Sequence, residues 1–331
     1  MRGLFSALAL GSVLAMAGFA AEVPEIPIES VPNFLKMPDG LYMGEAVGVA
    51  TNSKGHVFVF TRSGETRLFE FDENGKWLRE IGDHLYSFAF AHTVRVDRYD
   101  NIWATDEGTN MIVKFDPQGH VIMTFGRRPE AGEGVTPWKG DGAGIPEPTR
   151  VTKYGLYRPT DVAWDAQDNV FVSDGYGNSR VIKYSKEGRF ITSVGDKRGS
   201  APGQFNTPHT IATDRDGNVY VGDRGNNRIQ VFDNNLKYKT SYTAQGAPWA
   251  ICISPGTHQY LYSSNSTGTT DMKNGEIYKM ELDGTIIGKF GRGGKKLGEF
   301  MATHEIDCRY ENQILTGEVT NWRVQKILLK K

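Results

Sequence analysis

Alternating apolar and polar residues recur along the chain in short runs, each bounded by residues that favour turns. In the clearest copy, residues 209–213 alternate as a strand, residues 214–218 reverse the chain, and residues 219–222 return as a second strand. A polar, Gly-rich loop and a third run at 228–232 follow, and the preceding copy adds a fourth run at 189–194. The pattern therefore predicts a unit of four antiparallel strands.

The same unit is repeated through the chain. Related segments occupy residues 46–71, 90–115, 158–184 and 207–232, and looser copies start near Ala247 and Met301. Six copies of a four-stranded unit, spaced by about 40–68 residues, are typical of a propeller. We therefore predict an all-β fold, a six-bladed β-propeller over residues 44–331.

The sixth copy ends before its outer strand. Residues 21–43 precede the first copy, and within them the segment Val23–Lys36 has no place in the repeat. An unpaired outer edge would be a liability in a sheet protein. We therefore predict that the last blade is closed by an N-terminal strand from this segment.

Two segments outside the repeat have a distinct composition. Residues 1–20 combine Arg2 with an apolar run at 4–19 and small residues before residue 21, which is the pattern of a signal peptide. Residues 129–156 are rich in Gly and Pro and are predicted to form a surface loop between the second and third blades. We expect a secreted or periplasmic protein with no membrane segment after signal cleavage.

Charge and cysteine content narrow the range of partners. The chain has 38 Lys and Arg against 39 Asp and Glu, which leaves no electrostatic footprint for nucleic acid. We expect a monomer that acts on a small molecule or a peptide. Cys252 and Cys308 occupy different phases of the repeat, so we predict that they point to different sheet faces and remain two free, buried thiols.

Three of the seven histidines, His92, His209 and His304, occupy one position of the repeat, in the second, fourth and sixth copies. The other copies carry different residues there, namely Val47, Thr160 and Trp249. Alternate blades are a third of a turn apart, and the start of each innermost strand lines the axis, so the imidazoles can converge. Three neutral imidazoles beside an open position suit Zn²⁺, although imidazole also binds copper, iron and nickel. The sequence therefore predicts a metal site.

The same strand geometry selects further residues on this face. In the fourth copy the turn lies midway between His209 and Arg224, so antiparallel pairing returns both to one face. The equivalent position is Arg62 in the first copy and Glu107 in the second, and Tyr176 lies beside it in the third. The recurring acids and amides of these loops are predicted to be structural, namely Asp106, Asp174, Asp223, Asn178 and Asn227.

These segments resemble the NHL-repeat family and, within it, the peptidyl-α-hydroxyglycine α-amidating lyases. The resemblance covers nearly all of residues 44–328 and is most evident over 159–195, in PGQFNTPHTIA and in VGDRGNNRIQVF. It implies that the three histidines bind zinc and that the catalytic groups are Tyr176, Arg62 and Arg224. It also implies a structural calcium ion, held by the backbone carbonyls of Val49 and Val94 and by the carboxylate of Glu305.

The chain departs from the lyase pattern in four respects. Glu305 replaces an aspartate among the calcium ligands, and it remains a hard oxygen ligand. Ala302 replaces a methionine before the third histidine, and Gly177 stands where the lyases have one of their disulfide cysteines. The monooxygenase domain that prepares the lyase substrate has no counterpart here.

The resemblance implies a zinc-dependent lyase that cleaves the C–N bond of peptidyl-α-hydroxyglycine-type substrates to an amide and glyoxylate. In this interpretation zinc acidifies the substrate hydroxyl, Tyr176 takes its proton, Arg224 stabilises the phenolate and Arg62 pairs with the substrate carboxylate. Two alternatives stay open, a non-enzymatic NHL propeller that acts as a binding or scaffold protein and a lactonase-like six-bladed metal hydrolase. The first does not require converging histidines, and the second uses a calcium centre rich in carboxylates and amides.

Overall fold

The computed structural model describes residues 22–128, 152–195, 197–266, 268 and 272–330. These residues form six four-stranded antiparallel sheets, arranged as the blades of a ring, and one short 3-10 turn at Arg224–Asn226. The predicted all-β, six-bladed propeller is confirmed. Residues 1–20 of the predicted signal peptide and most of the predicted loop at 129–156 lie outside the described residues.

The strands of the first half of the ring follow one another from the axis outward. The first strand of the chain, β1 (Ile28–Val31), belongs to the last blade and is described with it below. Blade 1 consists of β2 (Ala46–Thr51), β3 (Val57–Ser63), β4 (Glu65–Phe71) and β5 (Trp77–Ile81). Blade 2 consists of β6 (Ala91–Val96), β7 (Ile102–Asp106), β8 (Met111–Phe115) and β9 (Val121–Gly126). Blade 3 consists of β10 (Asp161–Trp164), β11 (Val170–Asp174), β12 (Arg180–Tyr184) and β13 (Phe190–Val194).

The second half of the ring has the same order except at its last blade. Blade 4 consists of β14 (Pro208–Thr213), β15 (Val219–Asp223), β16 (Arg228–Phe232) and β17 (Tyr238–Tyr242). Blade 5 consists of β18 (Pro248–Ile253), β19 (Leu261–Asn265), β20 (Ile277–Met280) and β21 (Ile286–Phe290). Blade 6 consists of β22 (Thr303–Asp307), β23 (Gln313–Glu318), β24 (Arg323–Leu329) and, as its outer strand, β1.

The first hairpin of blade 4 shows why the sequence folds in this way. The side chain of Asp214 accepts a hydrogen bond of 2.7 Å from the backbone N–H of Asn218, and the Gly217 N–H donates to the carbonyl of Asp214 at 3.1 Å. Gly217 has a φ of +82°, a conformation that glycine adopts without steric cost. The strand that follows, β15, is buried along its whole length, because a blade covers each of its faces.

The apolar core lies between the faces of neighbouring blades. Between blades 3 and 4, for example, Phe171 and Val181 pack with Ile211 and Val221. Blades that stack in this manner leave their innermost strands around the axis, and these are β2, β6, β10, β14, β18 and β22. The residues at the starts of these strands therefore meet at one end of the central channel.

The ring is closed by the strand that precedes it in sequence. Ile28 of β1 pairs antiparallel with Leu329 of β24, and Val31 pairs with Lys326. The same segment also contacts blade 5, where the N–H of Ile26 donates to a backbone carbonyl at 2.7 Å. The predicted closure of the last blade by an N-terminal strand is confirmed.

The loop aspartates have the predicted structural role. Asp174 is fully buried and accepts hydrogen bonds from the Tyr157 N–H at 2.8 Å and from the Asn178 amide at 2.5 Å. Asp223 accepts in the same way from the Asn206 N–H at 2.7 Å. Each carboxylate therefore connects the loop after the second strand to the segment that enters the innermost strand.

The prediction of two free thiols is wrong. Cys252 of β18 and Cys308, which follows β22, form a disulfide with their Cα atoms 6.0 Å apart. Neighbouring blades stack so that opposite faces of their two sheets touch. Side chains that point to different sheet faces are therefore the ones that meet between blades, and the difference in repeat phase favours a bridge.

Deletion of Val23–Lys36 should lower the melting temperature by at least about 5 °C or cause aggregation. The deletion removes the partner of β24 and the apolar side chains of Ile26 and Ile28, and it exposes a sheet edge. Thermal unfolding and light scattering would measure the effect, with a chain that starts at Glu22 and keeps β1 as the control. Equal stability of the two proteins would show that β1 is dispensable for closure.

Candidate metal centre

The three predicted histidines converge on the channel axis. Each is the second residue of its innermost strand, His92 in β6, His209 in β14 and His304 in β22, and each is at most 1% exposed. Their ring centroids are 4.5–4.8 Å apart in every pair, and one nitrogen of each lies within 4.8 Å of the other two. The three imidazoles can therefore bind one metal ion.

The blades between the histidines hold the rings in place. His92 Nδ1 lies 2.6 Å from the carbonyl of Thr160, and His209 Nδ1 lies 2.6 Å from that of Trp249. His304 Nδ1 lies 2.9 Å from the carbonyl of Val47. A carbonyl only accepts, so each Nδ1 carries the proton and each Nε2 offers its lone pair to the centre. The accepting carbonyls belong to Thr160, Trp249 and Val47, which occupy the histidine position of the repeat in the three blades that have no histidine there.

The histidines are held as neutral imidazoles. Burial lowers the pKa of all three well below the usual value, and nearby positive charge lowers it further, from Arg224 at His209 and from Arg62 at His304. The Nε2 atom of His304 is buried and has no hydrogen-bond partner among the described residues. A buried acceptor without a partner is costly, and a metal ion would satisfy it. The donor set therefore fits a metal that favours nitrogen ligands.

Tyr176 lies beside the histidines, as predicted. Its hydroxyl is 3.1 Å from His209 Nε2 and 3.4 Å from His92 Nε2. Burial raises its pKa, and Arg224 is the strongest opposing influence. The flanking glycines allow this loop to approach, since a Cβ at Gly175 would collide with a backbone carbonyl and one at Gly177 would collide with the ring of Tyr157.

The two predicted arginines lie on the same face. Arg224 Nη1 is 3.4 Å from the Tyr176 hydroxyl, and its guanidinium stacks 4.5 Å from the ring of Trp249. Arg62 Nε donates to Glu45 at 2.9 Å, and its guanidinium lies 4.2 Å from the centroid of Phe90. The Arg62 side chain is 15% exposed, so it can reach a ligand that enters from the open end of the channel.

Glu107 and Arg158 belong to this site although the sequence analysis gave them no role. Glu107 Oε1 accepts from Arg158 Nη2 at 2.8 Å, while Oε2 lies 3.8 Å from His92 Nε2 and has no hydrogen-bond partner among the described residues. Burial raises the pKa of the Glu107 carboxyl. Glu107 shares its repeat position with Arg62 and Arg224, which is the signal that placed it on this face from the sequence. Arg158 enters the site from the segment before β10, which the repeat pattern does not single out.

The three residues predicted to hold calcium are buried at the axis, Val49 in β2, Val94 in β6 and Glu305 in β22. The Glu305 carboxylate is already ion-paired, because Arg95 Nη2 lies 2.8 Å from its Oε1. A guanidinium and a divalent cation cannot share this position. The observed side chains therefore do not fit the predicted calcium site as they stand.

Comparison with known proteins agrees with this architecture. The sequence model of the NHL repeat matches residues 205–232, in blade 4. The probable peptidyl-alpha-hydroxyglycine alpha-amidating lyase pgal-1 of Caenorhabditis elegans is 22% identical over 317 residues, which cover 87% of this chain and 83% of that protein. The peptidylglycine alpha-amidating monooxygenase of Rattus norvegicus is 28% identical over 231 residues, and the match covers 60% of this chain but only 22% of the rat protein.

A solved structure has the same fold. The structure of virginiamycin B lyase from Staphylococcus aureus aligns with a TM-score of 0.60 over 92% of this chain and 100% of that one, at 15% sequence identity. Fold and site together define a six-bladed β-propeller with three histidines able to bind a metal at the channel mouth. More specifically, blade 4 matches the NHL-repeat model, and the chain resembles proteins named as peptidyl-α-hydroxyglycine α-amidating lyases.

Replacement of His209 by Ala should remove most of the bound metal, because it deletes one of three nitrogen ligands. Metal analysis of purified protein should find about one ion per chain in the wild type. The matched control is His258→Ala, since His258 is exposed and pairs with Glu281 at the surface. Equal metal content in the two variants would contradict the proposed ligand set.

The metal-free protein should lose stability through His209 as the pH falls from about 7 to 5. The folded-state pKa of His209 lies below its unfolded value, so in this window the unfolded chain binds more protons. The wild type should therefore lose up to about 1.4 kcal/mol per pH unit more than His209→Gln. Buried carboxyls with raised pKa values, such as Glu107, act in the opposite direction and are common to both proteins. Denaturant unfolding at several pH values measures the difference, and identical slopes would contradict the burial of neutral His209.

Proposed function

We propose that this protein is a zinc-dependent lyase that cleaves the C–N bond of peptidyl-α-hydroxyglycine-type substrates to an amide and glyoxylate. The observation that supports it most is the meeting of three imidazole Nε2 atoms with the Tyr176 hydroxyl, which lies 3.1 Å from the nearest of them. The similarity to proteins named as α-amidating lyases points to the same chemistry.

Zinc is the metal that we propose for the site. Three neutral histidines with one open position are the ligand set of many catalytic zinc sites. The Nδ1–carbonyl hydrogen bonds fix the tautomer that such a site requires. Zinc bound there would supply a Lewis acid that lowers the pKa of a substrate hydroxyl.

Tyr176 is the proposed base for the hydroxyl proton of the substrate. Its oxygen is in hydrogen-bond reach of the site where the hydroxyl must lie. The phenolate form is favoured by Arg224, whose positive charge is the main influence opposing the effect of burial. When the proton leaves, the C–N bond breaks with its electron pair on nitrogen, the nitrogen takes up the proton that Tyr176 accepted, and the carbonyl of glyoxylate forms.

Arg62 is the proposed anchor for the substrate carboxylate. Its guanidinium is held by Glu45 and by the carbonyl of Ala91 at 3.3 Å, which fixes its orientation before a ligand arrives. A guanidinium of this kind binds a carboxylate through two parallel hydrogen bonds.

We also propose that the protein is exported and works outside the cytoplasm, as a secreted or periplasmic protein. The Cys252–Cys308 disulfide supports this, since such bonds persist in oxidising compartments and are rare in the cytosol. The pattern of residues 1–20 points in the same direction.

A binding or scaffold propeller would not require the convergence of three buried histidines, and a lactonase-like hydrolase would require a carboxylate-rich centre in their place.

An α-hydroxyglycine-extended peptide should release glyoxylate in the presence of the zinc-loaded protein, and Tyr176→Phe should lower the rate by about 10²–10⁴-fold. The variant should keep its zinc, because the phenol is not one of the three nitrogen ligands. A glyoxylate assay at equal metal content makes the comparison.

The matched control is Tyr42→Phe, since Tyr42 is 85% exposed and should keep full activity. Zinc-loaded wild type that releases no glyoxylate from any such peptide would exclude the lyase activity. Full activity of Tyr176→Phe would exclude only the role of the base.

A further inference from the structure

Arg95 lies in the central channel, on the same strand as His92. Its side chain is 14% exposed, and it belongs to the innermost strand of blade 2. The proposed reaction does not use it. A guanidinium in such a position must have its charge and its N–H groups satisfied by protein groups.

The satisfying groups come from four other blades. The guanidinium donates in parallel to both carboxylate oxygens of Asp161 in blade 3, at 2.9 and 2.6 Å. Its Nη2 also lies 2.8 Å from Glu305 Oε1 of blade 6. Weaker contacts of 3.4 Å reach three further oxygens, those of the Thr210 hydroxyl, the Ile251 carbonyl and the Ile306 carbonyl.

These ligands are the kind that a calcium ion prefers. They are two carboxylates, two backbone carbonyls and a hydroxyl, all hard oxygen donors gathered from several strands around one point. In this chain the positive charge at the centre comes from a side chain. Asp161 and Glu305 outweigh the effect of burial and keep the pKa of Arg95 raised, so the guanidinium is charged at every pH of interest.

We infer that Arg95 takes the place of a divalent cation in the channel, and that its guanidinium joins the innermost strands of five blades so that the fold requires no calcium. A bound calcium ion would compete with Arg95 for Glu305 Oε1 and would bring two positive groups together in a buried space. This inference does not rest on the proposed lyase activity, because it concerns only the cation that neutralises the two channel carboxylates.

The test is a comparison of calcium binding and thermal stability in zinc-loaded protein, so that the histidine site is the same in every arm. Wild-type protein from which calcium has been removed should bind no calcium when it is then dialysed against a calcium buffer. Millimolar calcium should change its melting temperature by less than about 1 °C. Arg95→Ser should melt at least about 5 °C lower, and calcium should raise its melting temperature more than that of the wild type.

The matched control is Arg98→Ser, three residues further on, where the side chain is half exposed and pairs with Asp168 at the surface. It should change the melting temperature little and should gain no response to calcium. Arg95→Lys keeps the charge without the planar fork, so it should melt between wild type and Arg95→Ser, also without a calcium response. If Arg95→Ser does not fold, the inference is tested by the melting temperature of Arg95→Lys and by the calcium content of the wild type.

Three results would overturn the inference. The first is one tightly bound calcium ion per chain in the wild type, with a lower melting temperature after its removal. The second is an Arg95→Ser protein as stable as Arg98→Ser. The third is a folded Arg95→Ser protein whose stability does not respond to calcium, because the two carboxylates would then need no cation.

Discussion

Six innermost strands meet at the propeller axis, and several of the polar groups buried there find their partners in another blade. Each axial histidine donates Nδ1–H to a carbonyl of the next blade, and Arg95 reaches carboxylates in blades 3 and 6. An unpartnered polar group in this space would cost about 1–3 kcal/mol. The contacts that satisfy the polar groups therefore also fix the relative positions of the blades and the geometry of the site.

Buried acceptor atoms at the histidine site lack a hydrogen-bond partner among the described residues. They include His304 Nε2 and Glu107 Oε2, and the second of these lies 3.8 Å from His92 Nε2. A metal ion would satisfy the first, and a donor group of the proposed substrate would satisfy the second. Because hydrogen bonds from Nδ1 already hold the three rings, metal binding would require little rearrangement, which favours affinity.

The ring is nearly symmetric, but its chemistry is not. One repeat position supplies Arg62, Glu107 and Arg224 in three different blades, and two of these are ion-paired, Arg62 with Glu45 and Glu107 with Arg158. In the proposed function, Arg62 would bind the acidic end of the substrate on this unequal face. The face depends on a closed ring, because β1 pairs with β24 and so fixes blade 6, which carries His304, against blade 1.

The sequence by itself determined the repeat, the number of blades, the closing strand and the histidine trio, because strand alternation and repeat position are local or periodic properties. It also placed Tyr176, Arg62 and Arg224 on one face. Only the tertiary structure decided the Cys252–Cys308 disulfide, the role of Arg158 and the pairing of Arg95 with Glu305. These contacts join different blades, and the stacking of blades brings opposite sheet faces and distant segments together in a way that no repeat position encodes.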